Sequence, residues 1–169
     1  MADPLHASAA SGVCVFRQPP YFFARQEVAI AARTRKSRSP ANNAVRQFAV
    51  AAARLAADRR CQRVVVLDVR GLSPVTDYFI IATGTSPRQM RTVCEEVMEL
   101  AQQMKQSTLS DSGLDGDTWM LVDFVDVMFH LFSEQARDYY DLEGLWGDAK
   151  AVNWEEEAPP SDQAAAKKG

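Results

Sequence analysis

Residues 64–90 read VVVLDVRGLSPVTDYFIIATGTSPRQM. The run from Arg63 to Val69 is β-branched and short, the pattern of a strand buried on both faces. Gly71 to Pro74 turns the chain, and Asp77 to Thr83 forms a second strand. Gly84, Thr85 and Ser86 leave it tightly. Ser86 then caps a helix, with Pro87 at the first helical position and Gln89 three residues on.

Working outward, Asn42 or Asn43 caps an upstream helix that repeats Val45, Phe48, Ala49, Ala52, Leu55 and Ala56 at helical spacing. Arg59 and Arg60 fall in its last turn, where positive charge suits the helix dipole. Downstream, the helix after Ser86 buries Met90, Val93, Cys94, Val97, Leu100, Ala101 and Met104. A polar loop containing Gly113 and Gly116 follows. Trp119 to Phe124 and Val127 to Phe132 are two strands of a hairpin that turns near Val125 and Asp126. Ser133 caps a last helix, on which Tyr139, Leu142 and Trp146 share a face with Leu145 beside them. The expected fold is α/β, a small mixed sheet with flanking helices.

Three segments follow from composition. Residues 1–40 form a basic extension without sustained period, residues 41–150 the folded body, and residues 151–169 a polar disordered tail. The extension reads as a disordered arm, an upstream extension of the reading frame or an Arg-rich transit peptide, the last opposed by Asp3, Glu27 and the aromatic cluster at residues 21–23. Six Lys or Arg against two acids give it +4, so the remainder carries −7 of the total −3. An acidic body binds nucleic acid poorly without sequence specificity and suits a basic protein partner. No apolar run approaches the roughly 20 residues of a membrane span. Cys14, Cys61 and Cys94 are odd in number and far apart, which argues against a disulfide framework or metal site.

Catalytic equipment is sparse. The Gly84 turn into a helix could hold phosphate, but neither glycine-rich nucleotide motif is present. Asp123 and Asp126 are separated by a turn, which does not set paired metal acids side by side. His130 alternates with Met128 and Phe132 on one strand face and reads as a hydrogen-bonded structural residue. Asp68 and Asp77 bond backbone around their turn. Asp138, Asp141 and Glu143 form a solvated helix face, with Arg137 paired to Asp141. No catalytic residue, cofactor or metal is expected.

Trp119, Tyr139, Tyr140, Leu145 and Trp146 allow two readings. They are core, or they are the large anchors of a protein-binding patch. A small sheet has few places to bury three large rings, and acidic neighbours mark a rim. The candidate partner-binding set is Trp119, Asp123, Asp126, Arg137, Tyr140, Leu142, Glu143, Leu145 and Trp146.

The D-x-x-G-x-S-x-x-T-D run from Asp68 to Asp77, WMLVDFVDVMFHLF from Trp119 to Phe132 and the Y-x-L-E-x-L-W ending from Tyr140 to Trp146 closely resemble the ribosomal silencing factors, the Iojap family. The resemblance covers about Val45 to Asp148. It implies a nucleotidyltransferase-like fold without catalytic acids and no enzymatic activity. It also implies binding to the large ribosomal subunit through ribosomal protein L-fourteen, which blocks joining of the small subunit and represses translation when nutrients are short. Organelle members act in ribosome assembly. The location implied is the bacterial cytoplasm, or a mitochondrion or plastid if residues 1–40 are a transit peptide. A nucleotidyltransferase-type enzyme is the alternative function. The oligomeric state stays open, a homodimer included.

Overall fold

A computed structural model describes residues 40–157. The extension read over residues 1–40 lies almost wholly outside them, as do residues 158–169 of the tail. Helix α1 spans Pro40–Asp58. It starts before Asn42 and Asn43, which therefore lie within the helix and do not cap it. Proline is tolerated in a first turn, where its missing N–H would have no partner.

Strands β1 (Gln62–Asp68), β2 (Tyr78–Thr83), β3 (Ser110–Ser112), β4 (Trp119–Asp123), β5 (Val127–Phe132) and β6 (Lys150–Ala151) form one sheet in the order β3-β4-β5-β2-β1-β6. Helix α2 (Pro87–Gln103) joins β2 to the β3–β5 arm, and β2 pairs with β5 in parallel. The other pairings are antiparallel, including the expected β4–β5 hairpin with Val125 at φ 72° in its turn. This is the expected mixed sheet with flanking helices.

Central position decides burial. All six residues of β2 are buried. The two-sided burial expected of β1 belongs to β2, because β1 is bordered on its outer side only by the two-residue β6. Val64 and Val65 are consequently half-buried.

Helices α1 and α2 cover one face of the sheet. Phe48, Ala49, Ala52 and Ala56 join Met90, Val93, Cys94 and Val97 against Tyr78, Ile80, Met120, Val122, Phe129 and Leu131. The alanines allow α1 to approach closely. Ser86 caps α2 as expected: its hydroxyl accepts from the Gln89 N–H at 3.3 Å, while the Gln89 side-chain oxygen accepts from the Thr85 N–H at 2.7 Å. The same amide donates to the Arg59 carbonyl at 2.7 Å, tying the start of α2 to the end of α1.

Arg59 and Arg60 follow α1 and are not in its last turn. Arg60 takes φ 64°, its N–H bonds Ala57, and the Cys61 N–H bonds Ala56. That is a Schellman closure with arginine where glycine is usual.

The tail expected from residue 151 is ordered at its start. Val152 donates to the Val66 carbonyl at 2.8 Å, and the Trp154 indole N–H to that of Val64 at 3.2 Å. Arg54 holds the Trp154 carbonyl at 3.1 Å, and Arg46 pairs with Glu157 at 2.8 Å. The segment straps the outer edge of β1, extending the ordered body beyond residue 150. The polar run AVNWEEE gave no periodicity from which to foresee it.

Candidate docking face

The second sheet face carries Leu67, Phe79, Ile81, Met128, His130 and Phe132. Its cover is small. Ser133 caps α3 (Glu134–Tyr140) by accepting from the Ala136 N–H at 3.3 Å. Asp141 then turns left-handed, at φ 38°, and starts the single turn α4 (Leu142–Leu145). The one continuous helix expected over this stretch is therefore two. Tyr139 and Leu142 do not share a face: Tyr139 is 70% exposed, whereas Leu142 is 5% exposed.

A continuous series of rings crosses the face. The Tyr140 ring lies 4.9 Å from Trp119, Trp119 lies 5.9 Å from His130, His130 lies 5.3 Å from Phe79, and Phe79 lies 5.1 Å from Trp146, between centroids. Trp119, Tyr140 and Trp146 are half-buried, so each packs inward and presents an edge outward. Leu145 stands beside them, 68% exposed. The three rings pack against the second core cluster and keep part of their surface exposed.

The rest of the candidate set divides. Arg137 is 1% exposed. It does not pair with Asp141. Its Nε and Nη2 donate to both oxygens of Glu143, at 2.9 and 2.5 Å, Nη1 donates to Thr83 Oγ1 at 3.0 Å and Nη2 to the Arg63 carbonyl at 2.8 Å. Leu142 is core. Asp123 is 4% exposed and accepts from the Val125 N–H at 2.8 Å. Asp126 lies just beyond, its carbonyl bonded by the N–H groups of Asp77 and Tyr78. Both acids sit at the end of β4 opposite Trp119, about 13 Å along a strand of this length. They do not rim the aromatic face.

On the acidic helix face, Asp138 and Asp141 are exposed as expected, whereas Glu143 is half-buried. Asp138 pairs with Arg63 at 2.7 Å, Asp141 caps α4 through the Gly144 N–H at 3.2 Å, and Glu143 holds Arg137. Asp68 bonds the Arg70 N–H at 3.2 Å, as expected of its turn.

His130 is buried as expected but not hydrogen-bonded as expected: neither ring nitrogen has a partner among the described residues. Burial among rings pushes its pKa down from 6.5 to about 3, so it stays neutral. Phe79 and Val65 belong to this face and were not singled out from sequence. Alternation along β2 was the available signal, since Phe79 and Ile81 point opposite to Tyr78 and Ile80.

At the Gly84 turn, an open cleft of about 350 Å³ is lined by Thr83, Ser86, Asp117 and Glu134 among others. A Cβ on Gly84 would meet Met90 Cγ at 2.1 Å, so glycine is needed there for packing of α2 on β2. Among the described residues no three His, Cys, Asp or Glu side chains gather as a metal site.

The class defined by this fold and face is a small α/β domain with one helix-covered sheet face and one aromatic face left partly open. Residues 42–169 match the family described as ribosomal silencing factor during starvation, and the chain belongs to that family. A ribosomal silencing factor of Bacillus subtilis (strain 168) is 39% identical over 92 residues, covering 54% of this chain and 78% of the relative. The chloroplastic protein Iojap of Arabidopsis thaliana is 34% identical over 117 residues, covering 69% of this chain but 47% of that longer protein. A crystal structure from Bacillus halodurans superposes with a TM-score of 0.55 at 32% identity, covering 66% of this chain and 99% of that one.

Proposed function

We propose that this chain silences ribosomes by occupying the large subunit. The aromatic face docks on ribosomal protein L-fourteen and the bound domain blocks the small subunit from joining. The observation that carries this reading is the run of rings from Tyr140 to Trp146 with Leu145 exposed beside it. Large rings partly buried in their own fold and partly open are pre-organised anchors, and such residues dominate interface energetics. Charge supports a basic partner: residues 40–157 hold eleven Lys or Arg against nineteen Asp or Glu, a net −8.

Inhibition by occupancy needs no chemistry. Its strength follows from the free concentration of the factor relative to its Kd for the subunit, by mass action. The site of action is the bacterial cytoplasm, and an organelle for a chain whose first 40 residues serve as a transit peptide. Sucrose-gradient sedimentation with separated subunits tests the reading. The protein is expected with the large subunit alone, and its addition before mixing is expected to reduce the joined peak. Co-sedimentation with the small subunit, or undiminished joining at saturating protein, overturns it. Titration with ATP, CTP and Mg²⁺ is expected to give no saturable heat; a saturable signal would return the Gly84 cleft to consideration as a nucleotide site.

A further inference from the structure

We infer that Arg137 is a positioning residue for the docking face: its guanidinium fixes how α3, α4 and Trp146 are carried over the sheet, with Glu143 completing the lock. This rests on the function proposed above. Helix α4 is a single turn, too short to persist by its own hydrogen bonds. Tertiary anchors must hold it. Leu142 supplies an apolar anchor, which resists sliding only weakly because apolar contact is not directional. The Arg137–Glu143 pair supplies the directional one, since a two-point guanidinium–carboxylate bond fixes angle as well as distance. The other N–H groups reach β2 at Thr83 and β1 at Arg63. One buried side chain thus joins both strands to the turn that leads into Trp146.

The backbone on both sides is bent to make this possible. Arg63 has φ 49° within the β1–β2 register shift between Gln62 and Val65, and its carbonyl meets Arg137. Asp141 has φ 38° and returns the chain so that Glu143 faces Arg137. Left-handed backbone at residues other than glycine persists only where surrounding contacts over-determine it. An ion pair with one partner buried and the other half-buried adds little net stability over an apolar pair of similar size, so its geometry is the better account of its presence.

The test is the double variant Arg137→Met with Glu143→Leu, beside Glu143→Gln and the wild type. The apolar pair is expected to keep the fold and melt within a few degrees of wild type. It is expected to bind isolated large subunits at least about tenfold more weakly, with an altered near-ultraviolet dichroism from the tryptophans. Glu143→Gln, which keeps the shape and one acceptor, is expected to lose affinity by a smaller factor without loss of fold. A folded double variant that binds like wild type overturns the inference and leaves the pair a stabilising contact only. Where the double variant does not fold, a folded Glu143→Gln with wild-type affinity overturns it equally. If the wild-type protein in the same gradients does not bind the subunit, the docking reading itself has failed.

Discussion

His130 sits in a place poorly suited to a polar ring. It is 3% exposed, it packs against Phe79 and Trp119, and its nitrogens find no partner among the described residues. Unsatisfied polar atoms in such a site cost stability, and charging them would cost more. The pH consequence has a definite sign. The unfolded imidazole takes a proton near 6.5, and the folded one only near 3. In that window the unfolded state holds more protons, so stability falls as pH drops from 6.5 toward 3, by about 1.4 kcal/mol per pH unit from this residue. Urea midpoints of wild type and His130→Phe at pH 7.5 and 5 measure it. The variant is expected to lose less stability on acidification, and parallel losses would show that His130 does not contribute. Trp119 packs against the rings of His130, Phe132 and Tyr140, and Trp119→Ala is expected to weaken subunit binding by about 2 kcal/mol with far-ultraviolet dichroism unchanged. Unfolding of that variant would make the ring core alone. Burial of His130 was legible in its alternation with Met128 and Phe132. Its missing partners were not, because they depend on what β2 and β4 bring across. Arg137 misled for a related reason: a guanidinium four residues from Asp141 looks like a surface pair until the β1 bulge supplies an inward partner.

At the scale of elements, both long helices end in the same unusual way. After α2, Lys105 takes φ 58°, its N–H bonds Gln102, and the Gln106 N–H bonds Ala101. This repeats the closure at Arg60. Left-handed geometry costs a residue with a Cβ roughly 1–2 kcal/mol, which glycine avoids at some loss of chain entropy. Lys105→Gly is therefore expected to stabilise the protein by about 1 kcal/mol, read as a higher urea midpoint at unchanged slope. A lower midpoint would mean that the lysine side chain contributes more than its backbone costs. The starts of α2 and α3 were legible because Ser86 and Ser133 announce them locally, whereas α1 begins at Pro40, ahead of the expected caps Asn42 and Asn43. These stops were not, because no Gly or Asn marks them. The hairpin at Val125 was legible from alternation on either side of it. The break at Asp141 lacked a warning from Pro, and only Gly144 hints at it: a Cβ there would meet Asp141 Oδ2 at 2.2 Å.

The molecule as a whole is closed by its strap. Trp154 is half-buried against the α1 side of the sheet, and residues 150–157 supply the only cover for the outer edge of β1 among the described residues. A chain ended after Asp148 is expected to lose about 2–3 kcal/mol and to aggregate more readily, since an uncovered strand edge pairs with other chains. A chain ended after Glu157 is expected to match the full-length protein in midpoint and in subunit binding. Equal stability of the two truncations would show the strap to be dispensable. Its position in the sequence also sets an order of events at birth. Domains form from the N-terminus as synthesis proceeds, yet β1 is among the first strands made and its outer neighbour β6 the last. The edge of β1 therefore waits, unpaired, until nearly the whole domain has left the exit tunnel. A protein proposed to act on ribosomes thus keeps one strand edge open while its own ribosome is still making the domain.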